Sequence, residues 1–141
     1  MAHSALPFPV PAVRLILEDD QGRVLVLQRA EGSHCAGRWC LPGGKVDCGE
    51  TVAAAVRGEL MEETGLECTS MQFLFYQDSL PVEPGGMHCL NLYFQCTYRG
   101  VVTLNDESTA YAWIAPQELD RYDLVFRNDE GLRRYWDEPA R

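Results

Sequence analysis

Four glutamates crowd one short stretch of the chain, PGGKVDCGETVAAAVRGELMEETGL (42–66): Glu50, Glu59, Glu62 and Glu63. A helix is expected over 51–64, stopped by Gly65. At ~100° per residue, Val52, Val56 and Leu60 share the face that packs on a core. Glu59 and Glu63 are four apart and Glu59 and Glu62 three apart, so the three carboxylates neighbour one another on a stripe. That stripe borders the apolar face, with Glu63 projecting almost between Val52 and Val56. Like charges placed there cost free energy unless something positive compensates. A divalent ion is the simplest compensation, and oxygen-only ligands favour Mg²⁺ or Mn²⁺ over zinc. The other reading is a solvated acidic face, although such a face belongs opposite the apolar stripe and not beside it.

Pro42, Gly43 and Gly44 precede the helix. Two glycines let the backbone turn tightly and approach a ligand closely, and they serve a plain turn equally well. Glu50 stands just ahead of the helix, where a carboxylate meets unpaired N–H groups. Gly58 is out of place, because glycine in a helix interior costs about 1 kcal/mol relative to alanine.

The net charge is −9 and Lys45 is the only lysine. Nucleic-acid binding by charge is therefore not expected, and an acidic protein that handles phosphates needs cations between the two. No run approaches the ~20 apolar residues of a membrane span, and the N-terminus lacks the pattern of a secretory signal. The six cysteines form no CxxC pair, so packing thiols in a reducing, cytoplasmic compartment are expected. A zinc site from His34, Cys35 and Cys40 is the alternative, without a recognisable ligand spacing.

Apolar and alternating runs predict strands at 12–19, 23–29, 71–79, 87–99 and 110–115. The first two, joined by DDQG (19–22), are expected to form a hairpin, preceded by an extended lead-in through Pro7, Pro9 and Pro11. Helical segments are expected after Pro116 and over 128–138. Strands outnumber helices without βαβ alternation, which predicts one α/β domain, a mixed sheet with helices packed on it.

The spacing of the acidic stretch resembles the Nudix signature: Gly, five residues, Glu, seven residues, Arg-Glu, an aliphatic, any residue, Glu-Glu, any residue, Gly, an aliphatic. Here it reads Gly44, KVDCG, Glu50, TVAAAVR, Gly58, Glu59, Leu60, Met61, Glu62, Glu63, Thr64, Gly65, Leu66. Flanking GRWCLPGG and AYAWIAPQEL are similar to the family's lead-in and its late strand and helix. The resemblance implies an α/β/α sandwich. It implies Mg²⁺-dependent hydrolysis, with Mn²⁺ as substitute, of a nucleoside diphosphate linked to another moiety. Carried over by position, Glu59 and Glu63 are metal ligands, Glu62 a ligand or water-orienting group, and the Gly43 carbonyl a further oxygen. Glu50 braces loop and helix. Glu107, outside the signature, is the candidate for a further ligand or base, or else a solvated loop residue. Gly43, Gly44, Lys45, Arg29 and Arg38 are candidates for contacting substrate phosphates.

One signature position departs: the family's Arg is Gly58 here. Arg57 points about 100° away around the helix, toward Met61, so Arg29 or Arg38 is expected to supply the missing cation. The alternative is a module that binds or senses nucleotides without hydrolysing them well. Nucleoside triphosphates and nucleotide sugars such as ADP-ribose both remain as substrates; the short chain leans toward a MutT-like member. A homodimer is among the expected states. Tyr76, Tyr93, Phe94 and Trp113 are candidates for stacking a base or for the core, His88 for a place near the substrate or in a strand, and Trp39 for packing beneath the glycines.

Overall fold

The computed structural model describes residues 8–138. Pro7 of the expected lead-in lies outside the described residues. The strands, in chain order, are β1 (Val10–Ile16), β2 (Val24–Arg29), β3 (Trp39–Cys40), β4 (Gly43–Lys45), β5 (Glu67–Ser79), β6 (Cys89–Arg99) and β7 (Ser108–Ile114). Helix α1 (Val52–Thr64) lies between β4 and β5, a 3-10 turn covers Pro116–Arg121, and α2 (Asn128–Asp137) follows.

The strands divide between two sheets, β4-β1-β6-β5 and β3-β2-β7. The first is mixed: β1 runs parallel to β6 and antiparallel to β4. The expected β1–β2 hairpin is where the division occurs. Its turn forms, with the Asp19 carboxylate accepting from the Gln21 and Arg23 N–H groups at 2.9 and 2.8 Å. Beyond the Glu18–Val24 bridge and the Leu25 N–H to Leu17 carbonyl bond (3.2 Å), the two strands part. A strand has two edges, and both edges of β1 are taken by β4 and β6, while β2 takes β3 and β7.

Side-chain alternation sorts the core into two layers. Val13, Leu15, Leu17, Leu25 and Leu27 pack with Ala55, Val56 and Leu60 of α1. Ile16, Val24 and Val26 pack on the other side with Tyr93, Leu119 and Leu132, against the 3-10 turn and α2. The chain is thus an α/β/α sandwich whose central layer is two sheets side by side. A Cβ on Gly131 would overlap the Tyr93 ring, so its bareness lets α2 lie directly on β6.

Strand β5 is an edge, and it starts at Glu67, earlier than expected, with a polar run Glu67–Ser70 carrying a bulge; a second bulge falls at Phe73/Phe75. Arg127 Nη1 donates to the Asp78 carbonyl at 2.6 Å and Arg134 Nη1 to the Tyr76 carbonyl at 3.4 Å, so side chains at and within α2 take up β5 carbonyls.

Leu60 is fully buried where α1 meets the sheets. Leu60→Ala is expected to lower the unfolding free energy by about 3 kcal/mol, read from urea denaturation with an unchanged m-value.

Candidate active site

Helix α1 is fixed at both ends. Thr51 Oγ1 accepts from the Ala54 N–H at 3.0 Å, and Gly65, left-handed at φ 71°, returns its N–H to the Met61 carbonyl. The cap is therefore Thr51; Glu50 turns back and accepts from the Asp47 N–H at 3.0 Å, bracing the turn that enters the helix. Between these ends Ala55, Val56, Leu60 and Thr64 are buried, which sets the rotation of the helix and the place of its glutamates.

Glu63 lies half-buried at the margin of this face, and its Oε1 accepts from the Gly43 N–H at 2.9 Å. Glu59, one turn earlier, lies against Gly44. The glycines are not a plain turn: both belong to β4. A Cβ on Gly44 would overlap the Glu59 carboxylate, and one on Gly43 (φ 153°) would overlap the Val13 carbonyl. Bare backbone is what lets two carboxylates close on this strand.

Burial, and after it the charges of Glu62, Glu107 and Glu50, pushes Glu59 up to about 7. Burial also pushes Glu63 up to about 8, with Glu59 and Glu107 adding to it and the Gly43 N–H and Arg14 opposing. Glu62 and Glu107 themselves are exposed. The structure thus brings all the expected glutamates into one electrostatic neighbourhood. Glu59 and Glu63 are partly desolvated, Glu62 and Glu107 lie at the exposed rim, and Glu50 is half-buried in the turn ahead of the helix.

The donors are oxygen only, which suits a hard divalent cation. Among the described residues no three His, Cys, Asp or Glu side chains converge on one point. An ion here would complete its shell with backbone, water or substrate oxygens, the usual manner for Mg²⁺. The zinc alternative is not assembled: all six cysteines are free, and Cys40 is buried near Arg29 Nη1 (3.9 Å).

One of the two cations expected near the glutamates is engaged elsewhere. Arg38 is bonded to both oxygens of Asp123, at 2.7 and 2.9 Å. Arg29 donates Nε to the His34 carbonyl. Arg57 is exposed and has no ion pair among the described residues, and the same holds for Lys45 on β4. The cation acting on Glu63 is Arg14, at the centre of β1 and 8 % exposed. Sequence reasoning passes over it inside AVRLILED, although a lone arginine in an apolar strand is itself a signal. Gly58 is exposed, and nothing lies within 4 Å of a Cβ built there.

Of the aromatic candidates, Tyr93 and Phe94 are core, and Trp113 stacks on Tyr98 at 6.0 Å. Tyr76 is exposed on β5, His88 is half-buried ahead of β6, and Trp39 packs edge-on against Tyr122 at 4.9 Å rather than beneath the glycines. A surface groove of about 640 Å³ between β5 and α2 has none of the signature glutamates in its lining.

Carboxyls raised above their ordinary 4.5 hold protons in the folded state that the unfolded chain releases. Their contribution to stability is complete below about pH 4.5 and is lost as pH rises through about 7 and about 8. The metal-free protein is therefore expected to melt at progressively lower temperature across that window, and Glu63→Gln to flatten the upper part of the profile. Melting curves in chelator at stepped pH check this; a profile unchanged by Glu63→Gln would contradict the raised Glu63.

The Nudix domain family matches residues 8–135. The chain is 32% identical over 132 residues to the Caenorhabditis elegans protein named nudix hydrolase 1, covering 93% of this chain but spanning only 35% of that relative's length. It is 28% identical to the nucleoside triphosphatase NudI of Escherichia coli, over 84% of this chain and 90% of NudI. The crystal structure of the MutT protein from Methanosarcina mazei superposes with a TM-score of 0.77 at 27% identity, covering 94% of this chain and 99% of that one. With the signature helix, the glycine strand and the sandwich in place, the chain belongs to the Nudix family of hydrolases.

Proposed function

We propose that this chain hydrolyses the pyrophosphate linkage of a nucleotide with the aid of Mg²⁺, nucleoside triphosphates being the first class to test. The observation that carries the reading is the pair of partly desolvated carboxylates, Glu59 and Glu63, closed onto the bare backbone of Gly43 and Gly44. Such a pair is repulsive without a counter-charge and suited to one. The length-matched similarity to an enzyme named nucleoside triphosphatase supports triphosphates over nucleotide sugars.

Glu59 and Glu63 would hold the ion from the buried side, with the Gly43 carbonyl as a third oxygen. Mg²⁺ supplies neutralisation of the anhydride's charge and a more acidic water; Mn²⁺ can substitute. Glu62 and Glu107, both exposed, would orient that water or take its proton. Lys45, exposed beside the glycines, and Arg29 are available to phosphates; Arg38 is available only by leaving Asp123. Glu50 keeps the turn and the helix entry in register.

A second reading, nucleotide binding with little turnover, is favoured by Gly58. No donor holds the Glu59 carboxylate among the described residues, where the family's arginine would be available to orient it.

Phosphate release from nucleoside triphosphates and ADP-ribose with Mg²⁺ tests the reading. Glu63→Gln should retain the fold and lower turnover about a thousandfold, several kcal/mol of lost charge stabilisation. Calorimetric titration of wild type with Mg²⁺ or Mn²⁺, with and without nucleotide, must show uptake; none in either case refutes the metal site.

Gly58 has room for a side chain, so Gly58→Arg should fold. A restored charged hydrogen bond to a glutamate is worth about 1.5–3 kcal/mol, so kcat is expected to rise roughly tenfold or more. An unchanged kcat would show that the missing arginine is not limiting.

A further inference from the structure

In this acidic chain nearly every described arginine is spoken for. Arg23, Arg38, Arg99, Arg121, Arg127, Arg133 and Arg134 each bond a carboxylate at 2.5–3.4 Å. Arg57 is exposed to water. The remaining two, Arg14 and Arg29, form no ion pair with a carboxylate among the described residues, and both lie over one aromatic ring. Their guanidinium carbons stand 4.8 and 5.0 Å from the centre of one ring, that of Phe126. Arg14 is 8 % exposed, and among the described residues the only hydrogen bond of its side chain runs from Nε to Asn91 Oδ1 at 3.0 Å, with no acceptor there for Nη1 and Nη2.

We propose that Arg14 and Arg29, both over the Phe126 ring, are the receptor for the phosphate on the nucleoside side of the substrate. The proposal rests on the nucleotide pyrophosphohydrolase reading above and deepens it. A cation this deeply buried is costly, and the charge of Glu63 together with stacking on one aromatic face offsets only part of that cost. A guanidinium with its terminal N–H groups open is the geometry that takes a phosphate in two parallel bonds. Arg14 pairs with Gly43 across β1 and β4, so the receptor adjoins the strand that Glu59 and Glu63 grip. The glutamates at the rim face solvent, whereas Arg14 lies deeper, beside Phe126, Asn91 and the Tyr93 hydroxyl. That depth suits the nucleoside end of an anhydride whose reacting bridge lies over the carboxylates.

The ring that both arginines meet is held in place. Phe126 and Arg127 are successive non-glycine residues with left-handed φ, 60° and 58°. Backbone of this kind persists only where its surroundings over-determine it. Here Asn91 Nδ2 and Asn128 Nδ2 donate to the Phe126 carbonyl at 3.1 and 3.3 Å, and Gln77 Nε2 donates to the Arg127 carbonyl at 3.0 Å. Asn91 therefore fixes Arg14 and the Phe126 loop at once.

The test is binding to the full chain in chelator, so that it does not depend on turnover. Adenosine, guanosine, cytidine and uridine 5′-monophosphates, the matching nucleosides and inorganic phosphate are titrated by calorimetry into wild type, Arg14→Met, Arg14→Lys and Arg29→Gln. At least one monophosphate is expected to bind wild type, Arg14→Met and Arg29→Gln to weaken it tenfold or more, and Arg14→Lys to weaken it less. The nucleosides should bind all four proteins equally weakly. Unchanged monophosphate affinity in the arginine variants overturns the receptor. Inorganic phosphate binding as tightly as every monophosphate, and equally dependent on Arg14, overturns the assignment to the nucleoside side. Should Arg14→Met not fold, Arg29→Gln, at a half-buried position, decides. A wild type that binds monophosphate through Arg14 yet never releases phosphate in Mg²⁺ would sink the hydrolase reading and leave the receptor standing.

Discussion

The hydrogen bond from the Gly43 N–H to the Glu63 carboxylate holds the rest of the site in place. It joins the last turn of α1 to β4 across the margin of the core. It forms with the helix rotated so that Val56 and Leu60 are buried and with position 43 bare against the Val13 carbonyl, while the bare position 44 makes room for Glu59. Thr51 and Gly65 fix the ends of that helix, and the turn held by Glu50 fixes its approach. Each local feature of residues 42–66 thus serves one result: two acids held close together, partly out of water, on exposed peptide groups.

Helix α1 was legible in the sequence to within one residue because every level agreed: apolar spacing, a glycine stop and a charged stripe in the wrong place for solvent. The weakened acidity of Glu59 and Glu63 follows from that placement. What was not legible depends on contacts between distant segments. Nothing in DDQG says that the strands on either side of it will part into two sheets, since that is decided by β4, β6, β3 and β7 competing for edges. The first turns of β5 were missed because Glu67–Ser70 has the polar composition of a loop; it is strand because Arg99, Tyr98 and Thr97 lie opposite. Arg38 looked available for phosphates until Asp123, far along the chain, was found beside it. Arg14 was hidden for the converse reason, a charged residue in an apolar run whose partner Asn91 is equally remote.

Replacing the signature arginine by Gly58 shifts the balance of charge around the helix. The cation that remains near Glu63 comes from β1, not from α1, and it acts on Glu63 more than on Glu59. The two acids are accordingly unlike. Glu63 has an amide donor and a cation behind it, while Glu59 has neighbours of its own sign. Such asymmetry separates their protonation and gives each a different readiness to accept a positive partner.

The bulged edge of β5 has a consequence for behaviour in concentrated solution. An unpaired strand invites strands from other molecules, and long flat edges propagate into fibrils. Here two bulges break the repeat, and arginines from the last helical segment occupy backbone oxygens near its end. The flank most open to runaway stacking is therefore a poor template. The protein can carry exposed Phe73 and Tyr76 on that flank without their becoming the seed of an aggregate.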